Sequence, residues 1–156
     1  MFDLWRARRA RRAATVAIAP LVEATRRRCD GIPDTLWLDS YVIGFLATLI
    51  TLFGTRRSGP LAADALAAAQ SGAWSDITQT SGELAGEQIC YFSLAQDTTF
   101  LQGCADAERF FHKLVDPRVE ATASAADPAD LDPPMVQDGM TLWAHYFERR
   151  LYECRP

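Results

Sequence analysis

The sequence is poor in the residue types that most catalytic and metal sites require. Its 156 residues include no asparagine, two histidines and one lysine, Lys113. It contains none of the motifs G-x-x-x-x-G-K, G-x-G-x-x-G, G-x-S-x-G or H-E-x-x-H. Hydrolytic and phosphoryl-transfer chemistry therefore lack a recognisable set of groups. We expect no catalytic residues and no cofactor.

The cysteines are too few and too widely spaced for a disulfide framework or a zinc site. They contain no C-x-x-C pair and occupy positions Cys29, Cys90, Cys104 and Cys154. We expect reduced thiols, with Cys104 and Cys154 packed in the core as small apolar side chains. Reduced thiols favour a cytoplasmic location.

Composition and charge predict one globular domain over residues 1–156. The chain is 49% hydrophobic with a formal net charge of −4, which excludes collagen-like and fully disordered classes. The charge is uneven, since residues 1–57 carry ten arginines against five acidic residues. The fifteen arginines and 25 alanines have GC-rich codons, which favours a bacterial source.

Hydrophobic periodicity predicts helices throughout and no convincing strand. We expect an all-α fold, a compact bundle of five to six helices around a central apolar helix at about residues 34–54. Asp34 is the predicted N-cap of this helix, and Gly54 is its predicted end. An Arg-rich N-terminal helix is expected over about residues 3–28, kinked or split at Pro20.

Capping and breaking residues predict the remaining elements. Pro60 opens a third helix, Thr80 to Glu83 fit a capping box for a fourth at about 81–95, and Asp97 caps a fifth that reaches about Val115. Residues 116–133 are acidic and rich in proline and alanine, and are predicted to form an exposed internal linker. The last helix reaches about Cys154 and carries the apolar stripe Val136, Met140, Trp143, Phe147, Leu151 and Cys154.

The central helix has two interpretations, because it is apolar around most of its circumference. A length of eighteen residues, from Leu36 to Phe53, would span roughly 27 Å, which is enough for a membrane. Asp39 inside the segment favours a core helix instead. The helix has one strip of small residues, Ser40, Gly44, Ala47 and Thr51, where another helix can approach closely. The first helix is the predicted neighbour, through its own stripe of Ala7, Ala10, Ala14, Ala17, Leu21 and Ala24.

The first helix also carries the strongest candidate binding site, a cluster of five arginines with a concentrated positive potential. These are Arg6, Arg8, Arg9, Arg11 and Arg12. They could bind an acidic protein surface, anionic lipid or nucleic acid, or they could pair with acidic residues of the same chain. The acidic overall charge and the lack of a recognition motif disfavour nucleic acid. Arg11-Arg12 loosely resembles a twin-arginine export signal, but its apolar region is short and ends at Glu23, so we expect no export.

One further row offers metal ligands or an acid–base pair, since Cys104, Glu108 and His112 lie one turn apart on the fifth helix. We expect instead a core thiol beside an exposed Glu–His pair, and we assign no metal site.

Binding is the function that remains. We expect a cytoplasmic, non-catalytic protein-binding or regulatory module with a protein partner or a homo-oligomer. Leu142, Tyr146 and Phe110 extend the apolar surface beyond the core stripes and favour a homodimer. Two alternatives stay open: a membrane-associated protein that uses the Arg-rich helix or helix 34–54, and a small metal-binding protein or enzyme built around Cys104, Glu108 and His112.

Overall fold

The computed structural model describes residues 2–115 and 134–153, and within them the chain is helical without a β-strand. The helices are α1 Phe2–Arg28, α2 Ser40–Ser58, α3 Ala63–Thr78, α4 Gly82–Leu94, α5 Thr98–Val115, α6 Pro134–Trp143 and α7 Arg149–Glu153. A 3₁₀ helix, Asp34–Leu38, precedes α2, and a π-helical segment, Ala144–Glu148, joins α6 to α7 as one C-terminal helix. The predicted all-α bundle is confirmed. The predicted linker 116–133 lies outside the described residues.

Helix α2 is the centre of the bundle. Its buried residues are Tyr41, Val42, Ile43, Gly44, Phe45, Leu46, Ala47, Leu49, Ile50 and Gly54. It packs most extensively against α5 and α1, and it also contacts α3 and α4. The predicted central apolar helix is therefore confirmed. Among the described residues no helix, α2 included, is long and apolar enough to cross a membrane.

Helix α2 begins later than the sequence predicts. Asp34 begins the 3₁₀ helix, whose residues Leu36 and Trp37 are buried. Asp39 is the N-cap of α2, because its Oδ1 accepts a hydrogen bond from the amide of Val42 at 3.2 Å. The predicted cap at Asp34 is wrong, since burial of two large side chains fixes a separate turn ahead of α2.

Helix α2 also ends later than predicted. Gly54 lies inside the helix, where a Cβ would come within 3.2 Å of the Cβ of Ala10 in α1. The helix ends at Ser58, and Gly59 takes a positive φ of 75° after it. The glycine that was expected to stop the helix instead admits a neighbouring helix.

Two other glycines bring the backbones of α2 and α5 into contact. A Cβ on Gly44 would overlap the carbonyl oxygen of Phe100, and one on Gly103 would overlap that of Tyr41. Thr51, on the same strip as Gly44, accepts a hydrogen bond from Gln70 of α3 at 2.7 Å. At Gly44 and Thr51 the strip therefore faces α5 and α3 rather than the first helix, whose small-residue stripe meets α2 at Gly54 through Ala10.

Helix α1 is continuous through Pro20 and is not split there. Pro20 is exposed, so water can satisfy the backbone carbonyl that its missing N–H leaves without a partner. The buried line of α1 is Ala7, Ala10, Ala14, Ile18, Val22 and Thr25. The predicted small-residue stripe is correct as far as Ala14, and beyond it the buried line moves to Ile18 and Val22.

Asp97 caps α5 as predicted, whereas the N-cap of α4 is Ser81 and not Thr80, with which the predicted capping box begins. Ser81 Oγ accepts a hydrogen bond from the amide of Leu84, and Asp97 Oδ1 accepts one from the amide of Phe100 at 2.7 Å. Helix α3 begins at Ala63 rather than at Pro60.

The C-terminal helix packs through Trp143, Phe147 and Leu151 of its predicted stripe, which are buried. The predicted core position of Cys154 and the side chain of Val136 lie outside the described part of the chain. Phe110 is fully buried and meets the rings of Trp143 and Tyr146, with centroids 5.9 and 6.4 Å away. The expected exposed apolar extension through Phe110 is wrong, because this side chain closes the core. Leu142 and Tyr146 are half-buried against the same core.

A polar network joins α1 to the C-terminal helix inside the core. The Glu148 carboxylate is buried, and its Oε1 accepts hydrogen bonds from Thr25 Oγ1 at 2.5 Å and from the guanidinium of Arg28. Trp143 Nε1 donates to Thr25 Oγ1 at 2.9 Å. These contacts supply the partners that a buried charge requires.

Candidate anion-binding surface

The arginine cluster of the sequence lies on the outer side and the flanks of α1. Ala7, Ala10 and Ala14 face the core of the bundle. Because an α-helix turns every 3.6 residues, the arginines between these alanines emerge in different directions. Their contacts separate them into two groups, one bound within the protein and one directed outward.

Arg6 and Arg11 bind within the protein. Arg6 donates to the carbonyl oxygen of Ser58, from Nε at 3.3 Å and Nη2 at 3.2 Å, and to that of Pro60. Arg11 makes a two-pronged ion pair with Asp76 of α3, with Nε–Oδ2 and Nη2–Oδ1 distances of 2.7 and 2.6 Å. These hydrogen bonds lower the pKa of Asp76 and raise the pKa of Arg11. The predicted pairing with an acidic residue of the same chain is therefore found for Arg11, whereas Arg6 binds backbone carbonyl oxygens.

Arg8, Arg9 and Arg12 point outward. All three are exposed, and none forms an ion pair with an acidic side chain in the described part of the chain. The guanidinium carbon of Arg9 lies 5.4 Å from the ring centroid of Trp5. A cation–π contact of this kind orients the guanidinium without neutralising its charge.

The last turn of α2 adds Arg56 and Arg57, which the sequence analysis missed. The guanidinium carbon of Arg56 lies 5.9 Å from the ring centroid of Phe111. Neither arginine has an acidic partner within residues 2–115 or 134–153. The adjacent arginines Arg56 and Arg57 are visible in the sequence. Because the predicted end of α2 was Gly54, this pair was expected to lie outside any helix. We call the set Arg8, Arg9, Arg12, Arg56 and Arg57 the basic surface.

A groove of about 670 Å³ lies between α1 and the end of α2. Four residues of the basic surface line it together with small and apolar side chains. The lining residues are Arg9, Arg12, Ala13, Val16, Ala17, Phe53, Arg56 and Arg57. No acidic side chain is among these described lining residues. The groove therefore combines guanidinium groups with an apolar surface.

Exposed apolar side chains continue the same surface along α1. Trp5 is 58% exposed and Val16 is 66% exposed. Trp5, Arg9, Arg12 and Val16 follow steps of four, three and four residues, which places them in one line on the helix. Tryptophan and arginine are the residue types most enriched at the energetic centres of protein interfaces.

The second candidate set, the row on α5, does not form a comparable site. Cys104 is half-buried against the core, and burial raises the pKa of its thiol. Glu108 and His112 are both exposed. In the described portion of the chain, no group of three or more histidine, cysteine or acidic side chains is placed to hold a metal ion.

No protein-family model, curated protein or solved structure matches this chain. What the basic surface can bind is therefore inferred from its own residues. A guanidinium group is planar and presents paired donors, so it suits the two oxygens of a carboxylate or phosphate.

Proposed function

We propose that this protein is a non-catalytic binding module that holds an acidic segment of a partner protein in the groove between α1 and α2. One observation carries the proposal: five neighbouring arginines lack acidic partners in the described structure, although the chain has 20 aspartates and glutamates and a net charge of −4. A concentrated positive potential of this kind attracts an external anionic partner.

The groove itself favours a protein segment over other anions. Phe53 and Val16 give it apolar contact area, which an apolar side chain of the partner would cover. Arginines of α1 and α2 line it around these side chains and would pair with carboxylates of the same segment. Nucleic-acid phosphates would use the arginines but would leave the apolar contact area uncovered.

One observation favours a second candidate, an anionic membrane surface. Leu4 and Trp5 are exposed near the start of α1, on a helix whose arginines would meet lipid head groups. Peripheral helices combine exposed apolar residues and arginines in this way. In that case binding would depend on Trp5 and would require no protein partner.

Site-specific photocrosslinking separates these candidates. A photoreactive amino acid is placed at Val16, beside the groove, or at the exposed Leu94 of α4 as a control position. We expect discrete protein adducts from Val16 and not from Leu94, in the cells that produce the protein. The adducts should weaken as salt rises, because salt screens exposed charges.

Matched charge variants complete the experiment. Arg9→Gln/Arg12→Gln should abolish the adducts, whereas Arg27→Gln/Lys113→Gln removes two charges elsewhere and should preserve them. Equal adducts in both variants would overturn the proposal. Co-sedimentation with phosphatidylglycerol vesicles that is lost on Trp5→Ser, in the absence of protein adducts, would establish the membrane candidate instead.

A further inference from the structure

A second cavity lies between α2, α5 and the C-terminal helix. Its volume is about 530 Å³, within the range of small-molecule sites. No residue of the basic surface lines it. Its lining is mainly polar and includes Tyr41, Asp106, Arg109, His145, Arg149 and Arg150. We call it the polar cleft.

On one side of the polar cleft, a buried tyrosine and an aspartate orient an arginine. Tyr41 Oη lies 3.1 Å from Asp106 Oδ2 and 2.9 Å from the carbonyl oxygen of Tyr146, and burial raises the pKa of its phenol. Arg109 Nη1 donates to Asp106 Oδ1 at 2.7 Å. The Asp106 side chain is 14% exposed, whereas that of Arg109 is 61% exposed. Asp106 therefore holds Arg109 while most guanidinium donors stay accessible from the cleft.

On the other side, Glu153 orients two arginines in the same manner. Its Oε1 accepts from Arg149 Nε at 3.0 Å, and its Oε2 accepts from Arg150 Nη1 at 3.1 Å. These hydrogen bonds, that of Arg150 foremost, lower the pKa of Glu153. Arg150 also stacks over the Tyr41 ring, at 5.5 Å from its centroid. The carboxylate therefore fixes both guanidinium groups beside the cleft.

The π-helical segment contributes to the same place. Within it the amide of Arg149 bonds to the carbonyl oxygen of Ala144, a turn one residue longer than in an α-helix. The segment contains His145, which is exposed and lines the cleft, and Tyr146, whose carbonyl meets Tyr41. Single π-helical turns are frequent at functional sites.

We propose that the polar cleft binds a small oxyanion, carried by a phosphate- or carboxylate-bearing metabolite, through Arg109 and Arg149. The described lining contains three arginines and two acidic residues, and Asp39 beside it pairs with Arg150 at 3.5 Å, so Arg109 and Arg149 are the arginines left to face a ligand. Arg109 and Arg149 each give one of their five donors to a carboxylate, which leaves a donor fork on each for the ligand. The site is independent of the proposed protein-binding groove, because the two share no residue.

The two histidines make the test specific, because His145 lines the cleft and His112 does not. Inorganic phosphate and succinate are titrated separately into the full-length protein at fixed pH and ionic strength, and the imidazole resonances are followed by NMR. We expect the His145 resonances to move and saturate, while those of His112 stay constant. The stronger of the two probes identifies the phosphate or carboxylate class.

Charge variants locate the binding. Arg109→Gln/Arg149→Gln should weaken binding of the stronger probe by about tenfold for each arginine removed, the order of a charge-assisted hydrogen bond. Arg9→Gln/Arg12→Gln should leave it unchanged. An unchanged circular dichroism spectrum and melting temperature would confirm that Arg109→Gln/Arg149→Gln is folded. We expect it to fold, because glutamine is polar and both replaced side chains are exposed.

Three results would overturn the proposal. The first is the absence of a saturable His145 response to either probe at millimolar concentration. The second is an equal response of His112, which indicates a general ionic effect. The third is full retention of the response in Arg109→Gln/Arg149→Gln. Crosslinking from Val16 is unaffected by any of these results, so the two proposals are judged separately.

Discussion

Glu148 is an ionisable side chain that lies in the core, where its position depends on three partners. Thr25 and Arg28 of α1 donate to its carboxylate, and Trp143 reaches the same network through the Thr25 hydroxyl. Loss of one partner from a buried polar network leaves the others unsatisfied. This cost can be measured at Thr25, because its hydroxyl bonds directly to both Glu148 and Trp143.

We expect Thr25→Val to lower the free energy of unfolding by about 1–3 kcal/mol, since Trp143 Nε1 loses its acceptor and Glu148 loses a donor. Urea unfolding monitored by circular dichroism measures this change. Thr15→Val is the matched control, because Thr15 makes one 3.3 Å hydrogen bond to Asp76, which keeps both bonds from Arg11. An effect no larger than that of the control would contradict a stabilising network at Glu148.

The buried phenol of Tyr41 predicts a loss of stability in alkali. Its pKa in the folded protein lies above the ordinary value of about 10. The unfolded chain therefore releases this proton first, so the stabilisation is complete below about pH 10 and declines as the pH rises toward the folded value. One such group lowers the free energy of unfolding by at most about 1.4 kcal/mol per pH unit.

Urea unfolding at several pH values from about 9 to 11, which brackets the ordinary phenol pKa, tests this expectation. Tyr41→Phe should show a shallower alkaline decline than the wild type, whereas replacement of the exposed Tyr91 by phenylalanine should leave the slope unchanged. Identical slopes in all three proteins would mean that Tyr41 ionises equally easily in the folded and unfolded chains.

The arginines show how far side-chain roles can be predicted from a local pattern. Their clustering in α1 was evident in the sequence, and all five lie on that helix. The sequence could not distinguish Arg6 and Arg11 from the other three, because their partners Ser58 and Asp76 are 52 and 65 residues away. Arg56 and Arg57 were missed for a related reason, since tertiary packing decides where α2 ends.

At the scale of elements, helix type was predictable and helix boundaries were less so. Both Asp34 and Asp39 can serve as an N-cap, and only the burial of Leu36 and Trp37 selects Asp39. Gly54 is a typical helix terminator by sequence, yet its contact with Ala10 places it within α2. In both cases a contact distant in the sequence outweighs the local preference.

Two glycines in α4, one turn apart, should respond oppositely to alanine. A Cβ on Gly82 would overlap the backbone carbonyl of Ser71, which cannot move aside, whereas a Cβ on Gly86 meets nothing within 4 Å. We expect Gly82→Ala to lower the free energy of unfolding by about 1–3 kcal/mol. Gly86→Ala should raise it by about 0.5–1 kcal/mol, since alanine favours the helix.

The pair is measured by urea unfolding under identical conditions. Because the chemical change is the same, the difference between the two variants isolates the contact between α3 and α4. Equal effects of the two substitutions would show that α4 packs less closely on α3 than the Gly82–Ser71 contact indicates.

At the scale of the whole molecule, arginines that are distant in the sequence come together in space. The arginines of the basic surface come from two regions more than 40 positions apart, which meet only because α1 packs against the end of α2. The sequence predicted a basic N-terminal part and an acidic remainder. It could not predict the groove, because a groove requires knowledge of which helices are neighbours.

If the basic surface binds an acidic segment, an acidic polypeptide should stabilise the folded protein by mass action. We expect poly-L-glutamate to raise the melting temperature at low salt. The increase should disappear at roughly 1 M salt, where the screening length falls to about 3 Å. Differential scanning calorimetry measures the shift with the full-length chain.

The shift should be lost in Arg9→Gln/Arg12→Gln and kept in Arg27→Gln/Lys113→Gln, which removes the same number of charges from other exposed positions. A shift that depends only on the number of charges would contradict a defined site, because general attraction to a polyanion is insensitive to position. A shift that depends on Arg9 and Arg12 places the contact on the basic surface. Poly-L-glutamate offers carboxylates without apolar anchors, so the natural segment should bind more tightly through Phe53 and Val16.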